Sequence, residues 1–210
     1  MALGPAPKRI PDGRPIPAAA GVYCQNKVLY IRGFGEQYRT DASVVDLPGY
    51  HHVIVACTDP STGVPVQVQD PLYPDVTYEM VRVAYAPAGS VTKIDFSADS
   101  PHGCSLICQS SVPVETWPSQ GPSFVLTGDG NETVRGGPSD DVIGSGKGND
   151  VVDPGAGQNL MLLGQGVDTV LAGIKDTVLD AVPGQDVVLR GELADAFRKL
   201  ILVKPQPAKK

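Results

Sequence analysis

The sequence predicts an all-β protein: an N-terminal β-sandwich or small barrel, then a β-solenoid, closed by a short C-terminal capping helix. Three observations carry that expectation. Glycine and proline number 24 and 20 among 210 residues, and both disfavour helix interiors. Short runs of alternating apolar and polar residues follow one another between Gly21 and Trp117, as half-buried strands do. From Pro118 onward, aliphatic residues recur every nine positions without insertion, and a fixed short period marks a stack of like turns.

Residues 1–20, mostly GPAPKRIPDGRPIPAAA, hold no periodic pattern and read as an extended arm. Lys8, Arg9 and Arg14 precede no continuous apolar run, which argues against a Sec signal peptide. No apolar run in the chain approaches the roughly 18 residues that span a bilayer. Residues 21–117 form the sandwich or barrel domain. Strands are expected at Val28–Arg32, Val53–Cys57, Val64–Gln69, Val76–Tyr85, Ser90–Phe96 and Cys104–Gln109. In the fourth, Val76, Tyr78 and Met80 alternate with polar neighbours, and Val81, Val83 and Tyr85 continue one residue out of phase. A β-bulge near Met80 would keep both sets on one face. Asp59-Pro-Ser-Thr-Gly63 and Ala86-Pro-Ala-Gly89 supply turns.

Residues 118–189 are a nonapeptide array. Its eighth slot reads Val125, Val134, Ile143, Val152, Met161, Val170, Leu179 and Val188. The second slot reads Ser119, Gly128, Gly137, Gly146, Gly155, Gly164, Gly173 and Val182, and the fourth is glycine except at Ser139 and Lys175. The sixth reads Ser123, Glu132, Asp141, Asp150, Asn159, Asp168, Thr177 and Asp186. Glycines permit the positive-φ corners that such short turns need. The eighth residue points inward, and stacking buries a continuous apolar ladder.

The array resembles the G-G-x-G-x-D-x-U-x repeat of RTX-type proteins, most closely in GGPSDDVIG (136–144), SGKGNDVVD (145–153) and LGQGVDTVL (163–171). The resemblance implies a parallel β-roll with two nonapeptides per turn, and calcium between sixth-slot side chains of successive turns. One row is then Glu132, Asp150, Asp168 and Asp186; the other is Ser123, Asp141, Asn159 and Thr177. Up to three ions are expected, at Glu132/Asp150, Asp150/Asp168 and Asp168/Asp186, with a weaker site at Asp141/Asn159. The alternative is a metal-free solenoid whose Asp and Asn side chains cap their own turns; Lys175, Val182 and the missing doubled glycines favour it.

Residues 190–210 hold the capping helix and a basic tail. Leu193, Ala196, Phe197, Leu200 and Ile201 fall at helical spacing, with acids early and bases late. The Pro-Gln-Pro-Ala-Lys-Lys end fits a type I secretion signal poorly.

Catalysis finds little support. His102-Gly-Cys104-Ser-Leu-Ile-Cys108 invites a zinc reading, but the spacing is neither finger nor ribbon. The same stretch, with His51 and His52, carries no nucleophile signature. Gly144-Ser-Gly-Lys147-Gly148 lacks the Ser or Thr of a P-loop, and Asn131-Glu-Thr133 is a glycosylation sequon on a repeat turn. The four cysteines, Cys24, Cys57, Cys104 and Cys108, allow three pairings, and reduced buried thiols stand beside disulfides. Residues 118–189 carry three basic against ten acidic side chains, which repels nucleic acid and attracts cations. Two functions follow as expectations. One is a non-enzymatic assembly subunit that binds other protein subunits, with homo-oligomerisation one form of this, and no nucleic acid or membrane. In organisation it resembles an auxiliary or decoration protein of a tailed-phage capsid, placed in the virion. The other is a secreted calcium-binding RTX-type protein exported by a type I system.

Overall fold

The computed structural model describes residues 21–69, 77–117 and 119–201. In chain order the strands are β1 (Gly21–Gln25), β2 (Val28–Arg32), β3 (Arg39–Leu47), β4 (Tyr50–Thr58), β5 (Gln67–Gln69), β6 (Thr77–Glu79), β7 (Val81–Pro87), β8 (Lys93–Ser97) and β9 (Cys104–Gln109). Then come β10 (Val114–Trp117), β11 (Ser123–Leu126), β12 (Thr133–Arg135), β13 (Val142–Gly144), β14 (Val151–Asp153), β15 (Leu160–Leu162), β16 (Thr169–Ala172), β17 (Thr177–Val178) and β18 (Val187–Arg190), followed by helix α1 (Glu192–Ile201).

Two eight-stranded sheets face each other. The first runs β1-β2-β8-β10-β12-β14-β16-β18 and the second β17-β15-β13-β11-β9-β3-β4-β7. From β8 onward successive strands alternate between sheets, and each pairs in parallel with the strand two further on. This is a solenoid with two strands per turn. Because β2 pairs in parallel with β8 and β3 with β9, the same winding already exists at β2 and β3. The antiparallel β4 and β7, with the small β5–β6 pair, are inserted between its first two turns. Apart from the β5–β6 pair, the strands before position 118 therefore lie in the same two sheets as the repeats.

Inside, one apolar cluster runs the length of the molecule. Ile31, Val44, Phe96 and Leu106 belong to it, and so do Val125, Val134, Ile143, Val152, Met161 and Val170. Each such side chain contributes about 1.5–3 kcal/mol on burial. The eighth-slot aliphatics hold this ladder except at Leu179, which is 59 % exposed. Val178 packs on the core instead, because β17 pairs Met161 with Val178.

The N-terminal half corrects several expectations. The phase break falls at Met80, but as a gap between β6 and β7 where Met80 bonds to Val66 and Cys57. Along β7, Ala84 and Ala86 point inward with Met80, while Val83 and Tyr85 are exposed. The small alanines fit between the sheets, so the larger residues take the outer face. The strand expected over Val64–Gln69 is only β5, and β1, β3 and β10 carried no expectation. The Val76 end of the fourth expected strand lies outside the described residues, as do the arm and the basic tail.

Helix α1 forms where expected, with Glu192 and Asp195 early and Arg198 and Lys199 late. It packs on β16 and β18 of the first sheet. Ala194 is buried, whereas Leu193 and Leu200 are exposed. The helix is turned this way because Arg198 reaches the Asp153 carboxylate at 2.8 Å and the Leu171 carbonyl.

Candidate functional site

Apart from the one before β17, each repeat strand is entered through a corner whose sixth-slot side chain turns inward. In the first row, Asp150 Oδ1 accepts the Glu132 N–H at 2.8 Å, Asp168 that of Asp150 at 2.9 Å, and Asp186 that of Asp168 at 3.1 Å. In the second row, Asp141 accepts from Ser123 at 2.7 Å and the Asn159 carbonyl oxygen from Asp141 at 2.8 Å. The short Asp or Asn side chain suits this reach, one acceptor just beyond Cβ meeting an N–H of the preceding turn.

The second row does not end as the period implied. Asp176, not Thr177, accepts the Asn159 N–H at 3.0 Å, and Thr177 pairs with Leu160 on the exposed surface. One residue is missing from this corner: Asp141 reaches back four positions to the Gly137 N–H, Asp176 only three to that of Gly173. Asp180 also went unanticipated; it accepts the Leu163 and Gly164 N–H groups at 2.6 and 2.9 Å. Lys175 in a glycine slot marked the irregularity in the sequence.

The two rows differ in their remaining atoms. In the second, Asp141 Oδ2 accepts from Gly137 at 2.8 Å, Asn159 Nδ2 donates to the Ala156 carbonyl at 3.0 Å, and Asp176 Oδ2 accepts from Gly173 at 2.6 Å. In the first, both oxygens of Glu132 and the Oδ2 atoms of Asp150 and Asp168 are buried without a hydrogen-bond partner. Only Asp186, at the open end, satisfies its second oxygen, from the Val182 N–H at 2.7 Å. Burial, and after it the neighbouring Asp150 carboxylate, pushes the Glu132 carboxyl up to about 9. Asp168 is raised as well, by burial first and then by the charges of Asp150, Asp186 and Asp180, against the Asp150 N–H that lowers it. Burial also raises Asp141, although the N–H groups of Gly137 and Ser123 oppose it.

Buried, unpaired carboxylate oxygens are costly, and the residues fit a hard cation. Calcium takes about six to eight oxygens, carbonyls and water among them. Among the described residues no three His, Cys, Asp or Glu side chains converge on one point. An ion between Glu132 and Asp150, or between Asp150 and Asp168, would thus draw its other ligands from corner carbonyls and water. Asp141 and Asn159 have no spare oxygen of that kind; their atoms act as turn caps.

The other sequence candidates lie apart from these rows. Cys104 and Cys108 share β9 and both point inward, Cys57 is buried, Cys24 is exposed, and all four thiols are free. Burial pushes Cys57 and Cys108 up to about 12 and Cys104 to about 11, far from a reactive thiolate. His51 is buried with Nδ1 2.5 Å from Asp46 Oδ1. His52 lies on the outer face, stacked on Tyr85, and His102 is in the turn before β9, its N–H on Ser100. Lys147 pairs with Asp129 one turn below, and Asn131 Oδ1 accepts the Asn149 N–H.

Residues 126–161 match the family model of the RTX calcium-binding nonapeptide repeat, in four copies. The chain thus carries RTX repeats within a β-solenoid, and its remainder matches no family model. Such repeats bind calcium in general, and proteins that carry them are typically secreted or extracellular. Neither a curated protein nor a solved structure matches the chain.

Proposed function

We propose that the protein is a non-enzymatic, extracellular calcium-binding β-roll, its solenoid completed by calcium along the row Glu132, Asp150, Asp168 and Asp186. The observation that carries this reading is that four of the five buried carboxylate oxygens without a hydrogen-bond partner among the described residues lie in that row; the fifth, Asp95 Oδ1, faces the Arg32 guanidinium at 2.7 Å. Calcium supplies positive charge where the fold gathers negative charge without a basic partner. The chain's own residues hold the ligands ready: Asp150, Asp168 and Asp186 are each oriented by the backbone N–H they already accept. Secretion is supported by the habit of the repeat family. The capsid role and the wider subunit assembly draw no support from the repeats, the fold or the comparisons.

Calorimetric titration of calcium into the chelated full chain tests the reading. Saturable binding is expected, reduced by Asp150→Asn or Asp168→Asn and retained by Asp141→Asn. Absence of binding, or its loss only in Asp141→Asn, would sink the first-row assignment.

A further inference from the structure

The outer face of the first sheet holds a groove of about 490 Å³ reaching helix α1, a volume within the range of small-molecule sites. Its walls divide by chemistry. Pro113, Val151 and Phe197 form an apolar side, while Lys93, Glu115 and Arg135 form a charged one. Asn131 and Thr133 add an amide and a hydroxyl between them. Arg135 is the fixed point of the groove, its side chain only 8 % exposed. Both of its side-chain hydrogen bonds among the described residues leave from Nη1, to Glu115 Oε1 at 2.8 Å and to the Thr116 carbonyl at 3.2 Å. Its guanidinium also lies 4.3 Å from the centre of the Trp117 ring. The edge formed by Nε and Nη2 is left unused, and Nε is buried with no partner. Buried donors normally meet an acceptor, and two adjacent N–H groups of a guanidinium suit the two oxygens of a carboxylate.

We propose that this groove binds a small organic acid, its carboxylate on the open edge of Arg135 and its ring against Val151 and Phe197. The charges ask for one such group. Lys93 and Arg135 share the single carboxylate of Glu115. The acids beside the groove are committed elsewhere: Asp95 to Arg32, and Asp153 and Asp195 to Arg198. A monocarboxylate balances the second cation without burying an excess of either sign. Lys93, 41 % exposed, stands at the mouth. Glu115, Thr116 and Trp117 fix the guanidinium before any ligand arrives, so little ordering remains to oppose binding. Polar substituents on the ring would meet Asn131 and Thr133. The groove lies outside the sheet, whereas Glu132, Asp150 and Asp168 are buried within the solenoid, so this site and the calcium row stand or fall separately.

Trp117 is the single tryptophan of the chain, and its contact with Arg135 makes its fluorescence a reporter of the groove. The full chain in calcium is titrated with phenylacetate and with glucuronate, an aromatic and a sugar acid. Phenylacetamide and methyl glucoside serve as their neutral counterparts. A saturable change is expected with at least one acid, at a dissociation constant on the order of 1 mM for about ten non-hydrogen atoms. Which acid gives it identifies the ring that the apolar side accepts. Arg135→Lys keeps the charge but loses the paired N–H edge, and is expected to weaken binding at least about tenfold. Lys93→Gln, at the exposed mouth, is expected to weaken it about threefold. Should Arg135→Lys lose its sheet circular dichroism, Lys93→Gln carries the test. Arg39→Gln, on β3 of the second sheet, removes a positive charge elsewhere and is expected to leave binding unchanged. The proposal is overturned by no saturable change with either acid, or by equal binding of the neutral counterparts. Undiminished binding in the folded groove variants overturns it too.

Discussion

Two rows of side chains climb the same corners of one solenoid, built from the same nine-residue pattern, yet they are finished differently. Along Ser123, Asp141, Asn159 and Asp176 every polar atom meets a backbone partner within the fold. In the row of Glu132, Asp150, Asp168 and Asp186, the first oxygens of the three aspartates cap N–H groups, while the second oxygens of Asp150 and Asp168 and both of Glu132 are left over. Corner structure and ligand supply are thus separable properties of the repeat. An Asp in the sixth slot stabilises a corner wherever it stands. Its second oxygen is left over only where no N–H reaches it.

Removing calcium is the widest way to open that difference. If each of three intervals is filled at a hundredfold excess over its dissociation constant, binding contributes about 2.7 kcal/mol per site and about 8 kcal/mol in total. Thermal melts with calcium and with chelator should therefore be far apart. Within the row, Asp150→Asn keeps an acceptor for the Glu132 N–H but removes the charge shared by two intervals. Its effect should change sign with conditions: destabilising by about 5 kcal/mol in calcium, stabilising in chelator, where it relieves repulsion. Equal melting shifts in both buffers would mean that the row is only structural.

Acidity sharpens the same contrast. Glu132 holds its proton to about 9 in the folded chain against 4.5 in the ordinary case, so the folded state binds that proton more tightly than the unfolded one. The metal-free fold is then most stable below about 4.5 and loses that advantage as pH rises toward 9. In chelator the chain should melt higher at pH 5 than at pH 8. With calcium the order should reverse, because the ion needs the ionised carboxylates.

The second row should ignore calcium. Asp141→Asn replaces one of two acceptors with a donor facing the Gly137 N–H, a loss of about 1–3 kcal/mol. The melting shift should be the same with calcium and with chelator. A shift confined to calcium would place an ion at Asp141 and Asn159 after all.

Much of this was legible in the residues. The nine-residue period gave the solenoid, the inward ladder and the pairing of sixth slots eighteen apart. The fourth slots even hint at the asymmetry. The first row is glycine throughout, and Gly166 shows why: at φ +146°, its Cβ would fall 1.5 Å from the Gly148 carbonyl oxygen. Ser139 and Lys175 occupy that slot in the second row. What stayed hidden depends on contacts far apart in sequence. That β2 and β3 wind like the repeats follows from pairing with β8 and β9 across the inserted hairpin, and no period links them. Thr40, Ala42 and Val44, inward on β3, are too small a set to announce a strand. Which carboxylate oxygens lack partners is likewise set by the neighbouring corner and not by residue type.

The smallest effect tests where the second row ends. Read as an unbroken period, the array puts Thr177 in the sixth slot. The structure shortens that corner by one residue and hands the place to Asp176, which accepts from Asn159 and Gly173. Asp176→Ala should cost about 1 kcal/mol, since it strands two N–H groups near the open end of the solenoid. Thr177→Ala, on an exposed side chain, should stay within about 0.5 kcal/mol. The converse ranking in denaturant melts would restore the regular period and move Leu179, now outside, back onto the core.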